Sequence, residues 1–577
     1  MGSSRQSLAL YLMVLALLGT GGCSSGEHGG ERDGLPMLPA PNAGNFDGSD
    51  APEFGQNGNF GSGGATATDA PLPAEREVAL DFERPQASER FVYAVNPAGG
   101  TVSIIDAETL AIQTLETGEE PTYLQTLAGS DDAIVLNLGS DDATIMRDPG
   151  GALSTATVPV VDGANSIAVA PDGKHAVAYF DSERSSAAHR SGSFQDVTVI
   201  RLEKGADTAV DMTVGFRPRG VFFAADSSTA YVVTEDGVSV LNFETVEASG
   251  TGIAKLVSLG EDVDQQSLDV SVTLDGRFAL TREPGAGVIR LVDLENGEIQ
   301  NLDLGEHIPA AAFEALGIDV DTDADAGVAL PTVAVTDLDL APSGDFALAV
   351  LRDFSTVLRI PVPGAFEDAS SISAHVIAGE LVGSATIAPN GDRALLYTTA
   401  VPLEKVTILP LTGDAEPQTV AIRKAVEAVA IAPDGETALI LHTKADGDPK
   451  EPGIDPDAQI DRSHGYSVLH LLGGDVKLQV TPVRPGAFAL VPDGSHLFVL
   501  LRDDLTALRS VHMVETRSFL VENIALGSPP VSVGSVPARK RVFVGQEHGD
   551  GRITFIDWES GERETVTGFE LNSRIRD

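Results

Sequence analysis

Cysteine is all but missing: Cys23 is the only one in 577 residues, so no disulfide can close within the chain. Basic residues are scarce as well. Lys and Arg total 38 against 85 Asp and Glu, a formal charge of −47 that repels nucleic acid phosphates and anionic lipid headgroups. Nucleic acid is therefore not an expected partner. The surplus reads first as a solvated acidic surface, with attraction of cations or basic partners as the sharper alternative. Of long apolar runs there is one, residues 8–18, too short to cross a membrane as a helix. The chain also lacks a Gly-x-x-x-x-Gly-Lys-Ser/Thr phosphate loop, a Cys-x-x-Cys-His haem attachment and any recognisable Ser/His/Asp arrangement, so no motif names a reaction.

What is present begins with an export signal. Arg5, the apolar run and the small residues at 19–22 have the charged, apolar and small-residue regions of a signal peptide over 1–22. Cys23 directly after the small residues resembles the lipobox of bacterial lipoproteins, in which the cysteine becomes the lipidated N-terminus. Thr20 stands where that box has leucine, Leu18 lying further upstream; simple cleaved secretion is the alternative. Ser24 and Ser25 in place of an aspartate favour the outer membrane or cell surface of a bacterial envelope. Residues 23–85, rich in Gly, Pro, Asn, Asp and Ala, read as a lipid-anchored flexible linker. Flexible-coil scaling over its roughly 60 residues gives a mean reach of about 40–45 Å.

From 86 to 577 the chain restates one sentence. In FVYAVNPAGGTVSIID at 91–106, apolar and polar residues alternate, turn and resume, as in two half-buried antiparallel strands. A strand followed by a tight turn then recurs as IAVAPDG at 167–173, VSVTLDG at 270–276, LDLAPSG at 338–344, ATIAPNG at 385–391, VAIAPDG at 429–435 and FALVPDG at 488–494. Proline presets φ, aspartate caps the turn with its side chain and glycine accepts positive φ. With weaker copies at 123–130, 221–227 and 531–538, the chain counts nine units and a partial one at 91–118. Four short strands per unit of about 40–50 residues predict an all-β fold, a β-propeller of four-stranded antiparallel blades. Nine to ten blade-equivalents exceed the usual four to eight. One large ring is expected, two rings split near 306–331 being the alternative. The partial first unit lacks an inner strand, which the tail at 569–576 is expected to supply ahead of residues 77–82.

On these residues the chain resembles the YVTN-repeat and lactonase-like propeller family. The resemblance implies the fold. It is weak on function, because such propellers include lactone hydrolases, surface-layer proteins and haem or quinone enzymes.

Because successive strands reverse, the loop from second to third strand and the loop between blades emerge on one face. The long excursions at 181–196, 306–331 and 444–465 all fall there, so that face is where partners are expected. In the second excursion Asp319, Asp321, Asp323 and Asp325 could supply hard oxygen ligands for Ca2+, though Ala326 and Thr332 depart from the EF-hand pattern; a solvated acidic loop is the alternative. The acidic run of Asp446, Asp448, Asp455, Asp457 and Asp461 is a weaker candidate. Arg282, Arg352 and Arg502 each follow a second strand and could form a cationic ligand site, or pair with neighbours such as Glu283, Asp353 and Asp503. His189, His442, His464 and His548 lack the short spacing of a zinc site. The sequence thus predicts a lipid-anchored propeller platform for protein, peptide or glycan partners, non-catalytic and requiring no cofactor. A lactonase-like or other propeller hydrolase and a surface-layer component are the alternatives.

Overall fold

The computed structural model describes residues 72–76, 86–184, 192–250, 252–260, 269–318, 331–413 and 415–570. Cys23, residues 77–82, His189, the four aspartates Asp319, Asp321, Asp323 and Asp325, and residues 571–576 of the tail lie outside these.

Ten sheets follow one another along the chain, antiparallel except that Gly252–Ile253 joins the outer edge of the third as a parallel fifth strand. They form blade 1 (91–116), blade 2 (121–159), blade 3 (166–213), blade 4 (220–257), blade 5 (269–303), blade 6 (337–376), blade 7 (384–421), blade 8 (426–481), blade 9 (485–525) and blade 10 (530–567). In each, chain order equals spatial order, and the first strands of adjacent blades neighbour one another. Burial follows from that order. In blade 2, Ala133–Asn137 and nearly all of Asp142–Arg147 are buried, while the outermost strand, Ser154–Pro159, is mostly exposed. The middle strands are covered on both faces by neighbouring blades, which is why they read as continuous apolar runs.

Each blade packs on the next through an apolar cluster, and there are ten such seams, so the array closes as one ring. The division at 306–331 does not occur: Leu304, Ala312, Val335 and Leu338 fill the seam between blades 5 and 6. The last seam joins blade 10 to blade 1, with Val536, Phe543, Phe555 and Phe569 against Val92, Ala94 and Ile105. It is tied by Ala538 N donating to Glu89 O (3.0 Å) and Arg541 Nη1 to Ala107 O (2.8 Å).

Blade 1 takes its inner position from the residues just before it. Ala87 bridges Val92, Tyr93 N donates to Gln86 O (2.8 Å) and Ser88 N to Phe91 O (2.9 Å). Within the described residues the C-terminal tail does something else: Phe569 is buried in the seam and its carbonyl accepts from Ser103 Oγ (3.2 Å). Three residues immediately upstream can reach the edge of Phe91–Asn96 at little loop-closure cost.

All six repeated turn glycines have positive φ, from +67° to +76°. All but Gly391 are also crowded by the preceding blade. A Cβ on Gly276 would lie 2.0 Å from the Tyr231 hydroxyl of blade 4, and one on Gly494 would lie 2.2 Å from Asp434 of blade 8. The turns therefore interlock with the preceding blade as well as reversing the chain.

Candidate functional site on the elaborated face

The second-to-third-strand loops and the blade-to-blade loops share one face, as the antiparallel order requires. In the first excursion Asp181 is buried and accepts from Glu183 N (2.9 Å), with Arg184 at 3.3 Å. Burial pushes its carboxyl up, against hydrogen bonding from Glu183 and the charge of Arg184. The second excursion carries the helix Ala310–Ala315, whose Phe313 meets Phe354 edge-on at 5.4 Å.

The third excursion carries the helix Pro456–Asp461, whose last carbonyls are held by a buried lysine. Lys424 Nζ donates to Ile460 O (2.9 Å) and Asp461 O (3.0 Å), satisfying groups a helix end leaves unpaired. Its burial lowers its pKa. The acidic run of this loop is dispersed into local tasks. Asp448 accepts from Lys450 N (2.8 Å), Asp455 caps the helix and Asp457 pairs with Arg423 (2.5 Å).

The histidines do not converge either. His442 is buried between Ala425 O (3.2 Å) and Ser467 Oγ (2.7 Å), and His548 Nδ1 accepts from Asp550 N (3.2 Å). His464 is half-buried, and burial lowers its pKa. Among the described residues no group of three or more His, Cys, Asp or Glu side chains is placed to hold a metal ion.

Arg282, Arg352 and Arg502 all stand at the tops of second strands, on blades 5, 6 and 9, and each makes its own set of contacts. Arg282 joins Asp269 (3.1 Å) to the carbonyl of Thr336 (2.9 Å) across the seam to blade 6. Burial raises the Asp269 carboxyl, which Arg282 partly offsets. Arg502 pairs with Asp504 (2.8 Å) and, on blade 10, with Glu547 (2.7 Å). Asp353 does pair with its neighbour, 3.7 Å from Arg352 Nε, whereas Arg282 and Arg502 hydrogen-bond to Asp269 and Asp504 rather than to the adjacent Glu283 and Asp503.

Arg352 is the exception in what it holds. Residues Leu72–Arg76, part of the stretch read as linker, lie against the face between blades 6 and 7. The Glu75 side chain is 1% exposed and 2.9 Å from Arg352 Nη1, which also donates to Pro73 O at 2.7 Å. Blade 7 completes the cradle through the loop after Arg393–Tyr397. Thr398 Oγ1 donates to Oε1 (2.9 Å), while Thr399 N (2.7 Å) and Ala400 N (3.1 Å) donate to Oε2. Thr399 Oγ1 lies 3.0 Å from Oε2 and accepts from Arg76 N at 2.6 Å. Sequence reasoning found Arg352 and missed its partner. The available signal was the change at 71–77, PLPAERE, from Gly/Asn-rich linker to a Pro-stiffened segment with charge, in which proline biases the residue before it towards extended backbone.

No family model matches this chain, and no curated protein matches it. Among solved structures it is similar to the dihydro-heme d1 dehydrogenase NirN in complex with DHE, at 13% identity over 66% of this chain and 74% of that one, with a TM-score of 0.36. A eukaryotic initiation factor matches at 11% identity over 76% and 95%, TM-score 0.43, and Citrobacter koseri AztD at 11% over 74% and 92%, TM-score 0.34. At such TM-scores these likenesses carry no argument, and the β-propeller assignment stands on the strand pairing itself.

Proposed function

We propose that this chain is a cell-envelope lipoprotein, anchored through Cys23, whose propeller presents its elaborated face to a protein, peptide or glycan partner without catalysing a reaction. The observation that carries the reading is the dispersal of charge over that face. A hydrolase needs a base, carboxylates and a polarising group within reach of one bond. Here Arg282, Arg502, Lys424 and His442 are each committed to a separate structural contact. Broad faces with scattered polar groups suit recognition. The repeated turns at 167–173, 270–276 and 429–435 support kinship with YVTN-repeat propellers, and residues 18–25 support the anchor at the outer membrane or cell surface.

The test has two arms. Full-length protein is used to capture partners from envelope extract, beside a variant with Asp446, Asp448 and Glu451 changed to serine, and both are assayed against a panel of lactones. Capture that weakens in the variant, with no lactone turnover, is the expected result. Turnover that the variant lowers would overturn the reading in favour of a hydrolase, and ordered self-association would favour a surface-layer role. Loss of membrane partitioning in Cys23→Ala tests the anchor.

A further inference from the structure

We propose that the groove between blades 6 and 7 is a recognition site for an extended peptide segment bearing one glutamate, and that the chain's own residues 72–76 are its resident ligand. The inference rests on the platform reading and names one ligand class for it.

Three observations support it. First, the groove reads a carboxylate with two backbone N–H groups, two hydroxyls and a guanidinium, all from the propeller. Preorganised donors of this kind bind a carboxylate far better than a single surface lysine would. Second, Gly383 is shaped to the ligand. A Cβ there would lie 1.8 Å from Glu75 Oε1, yet Gly383 is not among the residues with positive φ, so its own backbone does not call for glycine. The missing side chain is what makes room for the carboxylate. Third, the segment is held at both ends of the glutamate by main-chain atoms, Pro73 O on Arg352 and Arg76 N on Thr399. Contacts to main chain accept any residue at those positions, so specificity falls on the glutamate. Because the chain continues past it with a bonded N–H, the site takes an internal glutamate and not a terminal carboxylate. Aspartate, shorter by one methylene, cannot reach Thr399 N while Pro73 stays on Arg352.

Gln86 is bonded to the first strand of blade 1, about half way round the ring of ten, and Glu75 is only eleven residues before it. Such a length spans at most about 36–40 Å, and Glu75 meets the groove as an intramolecular ligand. A partner segment must therefore compete with the resident one.

The probe is a fluorescein-labelled peptide of residues 68–80, titrated by anisotropy into the full-length protein. Glu75→Ala is expected to bind it, and wild type to bind it at least about tenfold more weakly, because the resident segment competes. The same peptide with glutamine at the Glu75 position loses about thirtyfold or more, and adding Arg352→Ala to Glu75→Ala does the same. In an independent arm, Gly383→Ala in otherwise wild-type protein expels Glu75, and trypsin then cuts after Arg76 faster than in wild type while circular dichroism shows the propeller still folded at the assay temperature. Equal binding of the glutamate and glutamine peptides, or no binding to Glu75→Ala, would overturn the proposal, as would an unchanged cut at Arg76 in Gly383→Ala. None of these failures touches the platform reading, whose test lies on blade 8.

Discussion

His442 makes this propeller acid-sensitive in a way that can be separated from its many carboxylates. The ring ends the strand Thr437–His442, is 3% exposed, and sits between Ala425 O and Ser467 Oγ. A carbonyl only accepts, so Nδ1 carries the proton and Nε2 accepts from the serine; the neutral ring is fully satisfied. Burial pushes its pKa from 6.5 down to about 4, with the Lys424 ammonium adding to the shift and the Ala425 carbonyl opposing it. The unfolded chain therefore binds this proton at a higher pH than the folded one. The contribution to stability is whole above about pH 6.5 and is lost as pH falls towards 4. At about 1.4 kcal/mol per pH unit the loss is capped near 3 kcal/mol, of which about 2 kcal/mol falls between pH 7 and 4.5. His442→Gln keeps a donor for Ala425 and an acceptor for Ser467 but cannot titrate. Urea unfolding of both proteins at pH 7 and 4.5 cancels the carboxylates common to the two. Wild type should lose about 2 kcal/mol more than the variant over that interval. Equal losses would refute the reasoning, since they would mean that the ring carries the same charge folded and unfolded.

Arg147 and Asp207 form a two-point ion pair (2.6 and 2.9 Å) with side chains 7% and 5% exposed, so Arg147→Ala should cost about 3–5 kcal/mol in urea unfolding by stranding the carboxylate. Replacing both by apolar residues of similar size should recover most of that loss. Phe569→Ala should cost about 3–5 kcal/mol, because it empties the seam that closes blade 10 on blade 1. At Gly276, alanine should cost well over about 1 kcal/mol, while at Gly379, where φ is +77° and nothing lies within 4 Å of the added Cβ, only the backbone term remains; thermal melts of the two variants read the difference as the clash with Tyr231. The platform reading needs no ion, so melting with calcium and with chelator should coincide; a calcium-dependent rise would show ion binding to the folded state and direct attention to Asp319, Asp321, Asp323 and Asp325.

The fold was legible because its signals are local. A strand ending in Pro-Asp-Gly at 429–435 is settled by φ restraint, side-chain capping and alternation within seven residues, and repetition multiplies the signal. The same logic ordered the loops, since strand reversal alone puts 181–196, 306–331 and 444–465 on one face. The site was legible in halves. Arg352 stood out by its place after a second strand, but nothing within a few residues of Glu75 says that it will be buried 277 positions away in sequence.

The repeat pattern was enough to give the blade, a count of nine to ten and the face that carries the long loops, because each depends on neighbouring residues. Only the tertiary structure decided that the ten blades close as a single ring, since closure depends on Phe569, Val536 and Val92 meeting across almost the whole chain. It also decided that Gln86–Ser88 begins the ring, that Gly276 and Gly494 are constrained by their neighbours as well as by φ, and that one carboxylate of the linker is held between blades 6 and 7. Those are long-range contacts, whose partners are fixed by where blades come to rest rather than by any pattern along the chain.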